Sequence, residues 1–244
     1  MSTWETVLVD GVDLRTIVDE LEVFDGAYTS AGFRGDGLVV PDLHGVDDVP
    51  QVRDETVLTI GCRLRAVDLT AFNDMRRALV VACKPGQLVD LNRRLSYASG
   101  NEEHTCPGRY LSGLTPTKHT PSLAKLVLSF RVLSGLWYAL NPETISVAHG
   151  VALHGVDGEV ETRRMTIDLP GAGTLFNAST GTSLTVTAAA TVDVAAKTST
   201  GTFADVVAAG DDLHAWFALR GAFANVLSWT GTGTVTIDYY PAYE

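Results

Sequence analysis

Apolar and polar residues alternate along most of this chain, and a helical spacing stands out in one place. From Val57 to Ala66, the side chains of Leu58, Ile60, Cys62, Leu64 and Ala66 share one face of an extended backbone. Thr59, Arg63 and Arg65 take the other face, and this period of two predicts a half-buried strand. Leu126, Leu128, Phe130 and Val132, set against Lys125, Ser129 and Arg131, predict another. Between them Phe72, Met75, Leu79 and Ala82 fall at three- and four-residue spacing, with Arg76 and Arg77 on the polar side. Asp68 or Thr70 is placed to cap that helix, which spans 69–83 and ends at Lys84-Pro85-Gly86.

The remaining segments read as strands and turns. Glu5 to Leu14 predicts two short elements around a tight turn at Asp10-Gly11. Residues 26–50, rich in Gly, Asp and Pro, read as loops and short strands around Leu38-Val39-Val40. Leu88 to Leu91 predicts a strand and residues 96–122 a loop-rich stretch. Asn141-Pro142 interrupts the pattern and suggests domains at 1–140 and 141–244. Beyond it Lys and Arg become scarce while Thr, Ala, Val and Gly dominate. Alternation recurs at Met165, Ile167 and Leu169, in one run from Leu184 to Ala196, and at Val235, Ile237 and Tyr239. Turn signals at Pro170-Gly171, Thr180-Gly181 and Gly231-Thr232-Gly233 separate these runs. The expected fold is mainly β: an N-terminal β-sandwich or split barrel with one α-helix, then a C-terminal β-sandwich of jelly-roll or galectin-like form.

Charge adds a second pattern. The net charge is −11, which opposes generic nucleic-acid binding. Residues 1–52 carry −9, residues 53–131 carry +5, and residues 132–244 carry −7. Such segregation suits head-to-tail self-association as well as plain solvation. No apolar run reaches the roughly 18–20 residues of a membrane span, and the N-terminus lacks a basic region followed by an apolar stretch. Both point to a soluble protein made in a cytoplasm. Cys62, Cys83 and Cys106 are too few and too scattered for a disulfide framework or a zinc site, and read as buried thiols.

The search for chemistry yields no catalytic, cofactor-binding or metal-binding set. No GxSxG elbow occurs. Gly171-Ala172-Gly173 and Gly231-Thr232-Gly233 imitate a dinucleotide fingerprint but open no helix, so they read as turns. His149 and His154 have the wrong spacing to share a strand or helix face, and His104 with Cys106 lacks a second ligand pair. Arg34-Gly35-Asp36 reads as a turn. Asn177-Ala178-Ser179 fits a glycosylation sequon that matters only in a secreted eukaryotic protein. The paired carboxylates Asp47-Asp48 and Asp211-Asp212 are adjacent and diverge on a strand. Trp216 and Trp229 are the candidates for sugar contact in the C-terminal sandwich.

The order of features resembles the distal tail protein of long-tailed phages, especially those infecting actinobacteria. The resemblance rests on Val9-Asp10-Gly11-Val12-Asp13-Leu14, on Phe33-Arg34-Gly35-Asp36 followed by Val40-Pro41-Asp42-Leu43-His44-Gly45, and on the strand and helix of 57–83. Leu126 to Arg131 with Gly135-Leu136-Trp137-Tyr138, and the terminal run Val235 to Tyr243, complete it. It implies a non-enzymatic virion protein at the tail tip, forming a homohexameric ring through its N-terminal domain with the C-terminal sandwich outside. It further implies a tail tube protein on one side, a tail hub or tail-associated lysin on the other, contact with a tape measure protein, and a genome passing through the lumen. A sugar-binding adsorption module and a tail-tube subunit are the competing readings. For the subunit interface, the charge pattern selects Asp19, Glu20 and Glu22 on one face and Arg63, Arg65, Arg76 and Arg77 on the other.

Overall fold

The computed structural model describes residues 6–25, 33–34, 52–53, 56–97, 100–115, 117–120, 122–133, 135–200, 203–205 and 217–243. Expectations for Gly35-Asp36, Leu38 to Val40, Asp47-Asp48, Asp211-Asp212 and Trp216 lie outside the described residues, as does the Glu22 side chain. Among the described residues the chain is mainly β with one α-helix: a curled half-barrel sheet, two further antiparallel sheets and one two-stranded pair. It divides into two compact units, the first running to Trp137 and the second from Tyr138 to Tyr243.

The first unit holds β1 (Thr6–Val9), β2 (Val12–Asp13), β3 (Glu20–Asp25), β4 (Phe33–Arg34), β5 (Val52–Arg53), β6 (Thr56–Arg65), helix α1 (Leu69–Cys83), β7 (Leu88–Tyr97), β8 (Gly100–Ser112), β9 (Thr117–Thr120) and β10 (Leu123–Val132). Its main sheet runs β2-β1-β7-β8-β10-β6-β3, with β9 on β10. At the first turn Asp10 and Gly11 both have positive φ (49° and 75°), as a two-residue hairpin requires. Leu58, Ile60, Cys62 and Leu64 of β6 and Leu126, Leu128, Phe130 and Val132 of β10 face the core. Helix α1 starts where Asp68 accepts a hydrogen bond from the Ala71 N–H at 2.8 Å. It buries Phe72, Leu79, Ala82 and Cys83. Lys84, not the nearby glycine, takes the left-handed cap position (φ 41°).

The expected loop at 96–122 is instead largely strand. β8 pairs with β7 from Leu88↔Arg109 to Tyr97↔Gly100, and it places His104, Cys106 and Gly108 on the inward face. A polar ring, a thiol and a glycine at the buried positions leave no hydrophobic alternation to read. Pro107 is tolerated because its carbonyl accepts from the Leu133 N–H, just beyond the β10 ladder, so its missing donor lies on that same open side.

β11 (Trp137–Ala139) starts at the last residue of the first unit, and the second unit continues with β12 (Glu143–Val147), β13 (Gly150–Gly155), β14 (Met165–Leu169), β15 (Gly173–Asn177), β16 (Thr182–Val186), β17 (Ala190–Asp193), β18 (Thr198–Ser199), β19 (Phe203–Asp205), β20 (Ala224–Trp229), β21 (Val235–Tyr239) and β22 (Ala242–Tyr243). One sheet runs β12-β21-β14-β17-β18 and the other β13-β20-β15-β16-β19. Their inner faces share one core, including Ile145, Ile167, Leu175, Leu184, Val192, Leu227, Trp229 and Ile237. The single run expected from Leu184 to Ala196 is two strands in different sheets. The chain crosses from β16 to β17 at Thr187-Ala188-Ala189, all exposed, and inward parity is kept on both sides. With no Gly or Pro at that crossing, period-two alternation hides the bend.

The two glycine pairs that imitate a phosphate loop have a packing role. A Cβ on Gly231 would lie 2.4 Å from the Ala172 carbonyl oxygen and 2.2 Å from the Trp229 ring, and one on Gly173 would lie 2.6 Å from the Gly231 nitrogen. Gly171 meets only Thr232 Oγ1, at 3.8 Å. Gly231→Ala is therefore expected to cost about 2–4 kcal/mol in a denaturant unfolding experiment, and Gly171→Ala under about 1 kcal/mol.

Candidate subunit interface

The outward face of the first unit's sheet is built from the residues that alternate with its core. One register row crosses four strands as Leu88, Arg109, Arg131 and Val57. Leu88 and Val57 are exposed, and two arginines stand directly opposite each other. Another row places Lys125 opposite Arg63 and Arg63 opposite Glu20. Like charges in such positions destabilise a sheet unless something else compensates. In the second row Glu20 does so, because Arg63 Nη1 donates to its Oε1 at 2.7 Å. The glycine at 61, between Val127 and β3, leaves a groove of about 630 Å³. Arg15, Asp19, Glu20, Arg63, Lys125 and Val127 line it.

This placement revises the charge pattern expected from sequence. Glu20 and Arg63, assigned there to opposing faces, are cross-strand neighbours that neutralise one another within the subunit. Asp19 is beside them, its N–H donating to the Arg63 carbonyl at 2.9 Å. Arg65 is exposed at the end of β6, while Arg76 and Arg77 sit on the exposed side of α1. The structure thus gathers Asp19, Glu20 and Arg63 and leaves the helix arginines apart. It adds Arg109, Lys125 and Arg131 to the basic set. Arg109 was hidden in the stretch read as loop, whereas Lys125 and Arg131 were visible as the polar half of an alternating strand.

Trp229, the described one of the two candidates for sugar contact, is corrected. It is 1% exposed, and its indole N–H donates to the Thr232 carbonyl at 3.4 Å. It packs in the sandwich core, so no sugar ring can reach its face. Asn177 of the sequon is likewise fully buried, donating to the Ala218 carbonyl at 2.8 Å and to Asn225 at 2.9 Å. His149 bonds the Gly231 carbonyl at 3.0 Å, whereas His154 lies in β13 opposite Asn225. Among the described residues, no three His, Cys, Asp or Glu side chains form a metal-sized group, and no helix is long and apolar enough to cross a membrane.

Two titratable clusters brace the first unit. Lys84 pairs with the Asp10 carboxylate, which also accepts from the Asp90 N–H at 2.7 Å. Burial works to raise the Asp10 pKa, and the Lys84 and Asp90 contacts outweigh it, so the group is held below its ordinary value. On the inward face Arg93 and His104 are directly opposed, both buried. Arg93 Nε donates to His104 Nδ1 at 3.1 Å, its guanidinium lies 4.9 Å over the Trp137 ring, and His104 Nε2 is 3.2 Å from Glu102. Burial, then the Arg93 charge, push the His104 pKa down to about 4.

The comparisons follow the fold. No family model and no curated protein matches the sequence. By structure the chain is similar to the Dit (gp 19.1) protein of SPP1, a paradigm of the hub adsorption apparatus in phages infecting Gram-positive bacteria. That likeness has a TM-score of 0.69 at 17% identity, and covers 98% of this chain and 99% of that one. A chain of the phage P2 baseplate in its activated conformation with Ca aligns at TM-score 0.40 and 8% identity, over 91% of this chain and 90% of that one. The form with Sr aligns at 0.41 and 8%, over 90% of each. The SPP1 likeness spans both units and establishes a shared fold.

The buried histidine sets a pH dependence. Above the unfolded value of 6.5, His104 is neutral in both states; below it the unfolded chain takes up a proton that the folded one refuses until about pH 4. Stability should therefore fall by roughly 2–3 kcal/mol between pH 7 and 4.5. Urea unfolding across that range is expected to show this slope in the native protein and a much shallower one in His104→Gln.

Proposed function

We propose that this chain is a structural phage-tail protein that forms a six-membered ring at the distal end of the tail. There it joins the tail tube to the hub or tail-associated lysin, beside the tape measure protein. The observation that carries this reading is the likeness to SPP1 Dit over nearly the whole of both chains at a TM-score of 0.69. Local features agree with it. The outward row of Leu88, Arg109, Arg131 and Val57 offers the charged and apolar surface that an assembling subunit needs. An actinobacterial host rests on the resemblance of the sequence motifs alone. The protein would be assembled in the host cytoplasm and reside in the virion, with no membrane insertion. The genome passes through the ring without sequence-specific contact.

In this reading the subunit contact uses the basic outward face of β6, β8 and β10, with Arg65, Arg109, Lys125 and Arg131 as its charges. The complementary surface is acidic and comes from the first 52 residues of the next subunit, which carry a net −9. Arg63, Asp19 and Glu20 lie at its rim, already partly neutralised, and Arg76 and Arg77 of α1 are less central. The burial of Trp229 weighs against the sugar-binding alternative.

Light scattering behind a sizing column tests the ring. The expected mass is six-fold and falls as salt is raised, because exposed charge pairs are screened. The double reversal Arg109→Glu with Lys125→Glu changes two exposed side chains and inverts the sign of the face towards a neighbour. It is expected to give a monomer with an unfolding midpoint close to that of the native protein. A native chain that stays monomeric at every salt, with tube protein present, refutes the ring.

A further inference from the structure

The second unit has four sheet edges among the described residues, and three are guarded. β12 begins with Glu143 and points Thr144 and Ser146 outward; β18 and β19 are only two and three residues long. Edges are usually blunted in these ways, by shortness, charge or proline, because unpaired main-chain groups template the addition of another strand. β13 has none of these protections. Its six residues, Gly-Val-Ala-Leu-His-Gly, include no proline, acid, lysine or arginine, and it is the terminal strand of its sheet. Val151 and Leu153 stand 75% and 69% exposed on its outward side. Their register partners on β20, Ser228 and Val226, are uncharged, and exposed Phe223 adjoins Ala224 opposite Gly155.

We propose that β13 is a docking edge that takes an extended segment of another protein as an added strand, apolar at alternate positions and basic at its ends. Among the described residues no strand lies beyond β13, so its outward main-chain groups call for an extended backbone, and Val151 and Leu153 call for apolar neighbours on one face. Charge selects the ends of the segment and argues against a second copy. Residues 138–243 hold four basic and ten acidic side chains, a net of −6, so two copies meeting at this edge repel while a basic-ended strand is drawn in. This inference stands independently of the six-membered ring, since it concerns only the second unit.

The test uses the full chain and a fluorescein-labelled peptide, Lys-Val-Thr-Val-Thr-Val-Lys, followed by anisotropy. Saturable binding is expected. It should be lost when the central Val is replaced by Pro, which removes a ladder donor, and weakened at least about tenfold when both end lysines become glutamates. Leu153→Lys, at an exposed position and therefore neutral to folding, should weaken binding of the lysine-ended peptide at least about tenfold with an unchanged unfolding midpoint. No binding, equal binding of the proline peptide, or indifference to Leu153→Lys overturns the proposal. A doubled mass in solution that Leu153→Lys returns to its undoubled value also overturns it, by assigning the edge to a second copy of the chain.

Discussion

The pairing of β6 with β10 is the constraint on which the first unit depends. Ten consecutive residues pair without a break, from Leu123↔Arg65 to Val132↔Thr56. A slip of one residue would turn Leu58, Ile60 and Leu64 out to water and bring Thr59 and Arg63 into the core. The packing of α1 follows from this register, because Phe72 and Leu79 need the apolar side of β6 beneath them. Burial of Cys62 and Cys83 in that layer raises both thiols to about 12, which leaves them protonated and chemically quiet. The neighbouring ladder to β8 is less regular. Its register shifts between Ser129 and Phe130, near the edge-to-face contact of Tyr110 on Phe130 at 5.7 Å. The Tyr110 hydroxyl then accepts from the Leu114 N–H at 2.7 Å, securing the chain as it leaves the strand.

The parts of this fold legible in the sequence are those where apolar identity and geometric period coincide. β6, β10, α1, β14 and β21 all alternate or repeat in the way their burial demands, and the Asp10-Gly11 turn carries the residue types its φ values require. β8 escaped notice because its buried positions hold His104, Cys106 and Gly108. The histidine accepts from Arg93 at Nδ1, and the glycine leaves room for Leu91, whose Cδ1 would lie 2.3 Å from an added Cβ. Those contacts are long-range and cannot be inferred from local composition. The same limit explains the interface: the charges of Glu20 and Arg63 are visible in sequence, but their separation by forty-three positions conceals that they touch. Charge segregation along a chain is not segregation in space when an antiparallel sheet folds one segment onto another.

In the second unit the two sheets treat solvent differently. The outward face of β12, β21, β14 and β17 is a lattice of Thr, Ser and Asp whose members satisfy one another: Thr144 donates to Asp238 and Thr191 to Asp168, both at 2.6 Å. That face follows the polar-out rule of a half-solvated antiparallel sheet. The opposite sheet departs from it at β13, where Val151 and Leu153 face water while Leu227 and Trp229 of neighbouring β20 are buried on the inner side. Core formation cannot account for the choice, since both residues are on the wrong side of the strand. Nor does it reflect a general scarcity of polar residues, because hydroxyl side chains are abundant throughout this unit.

The outward rows of the first unit pose a related question in charge. Arg94 on β7 has Glu103 opposite it on β8, at 3.0 Å, and Arg63 has Glu20. These pairs are half-exposed and contribute little to stability, yet they show acids placed where the sheet brings cations close. In the row of Leu88, Arg109, Arg131 and Val57, neither flanking position carries an acid. Exposed Leu88 and Val57 flank the two arginines in that row, and arginine is enriched where proteins meet. Like charges set directly opposite one another work against a sheet, although Arg131 has further contacts within the subunit. Against an acidic surface of another subunit, the same two charges would add attraction across the contact.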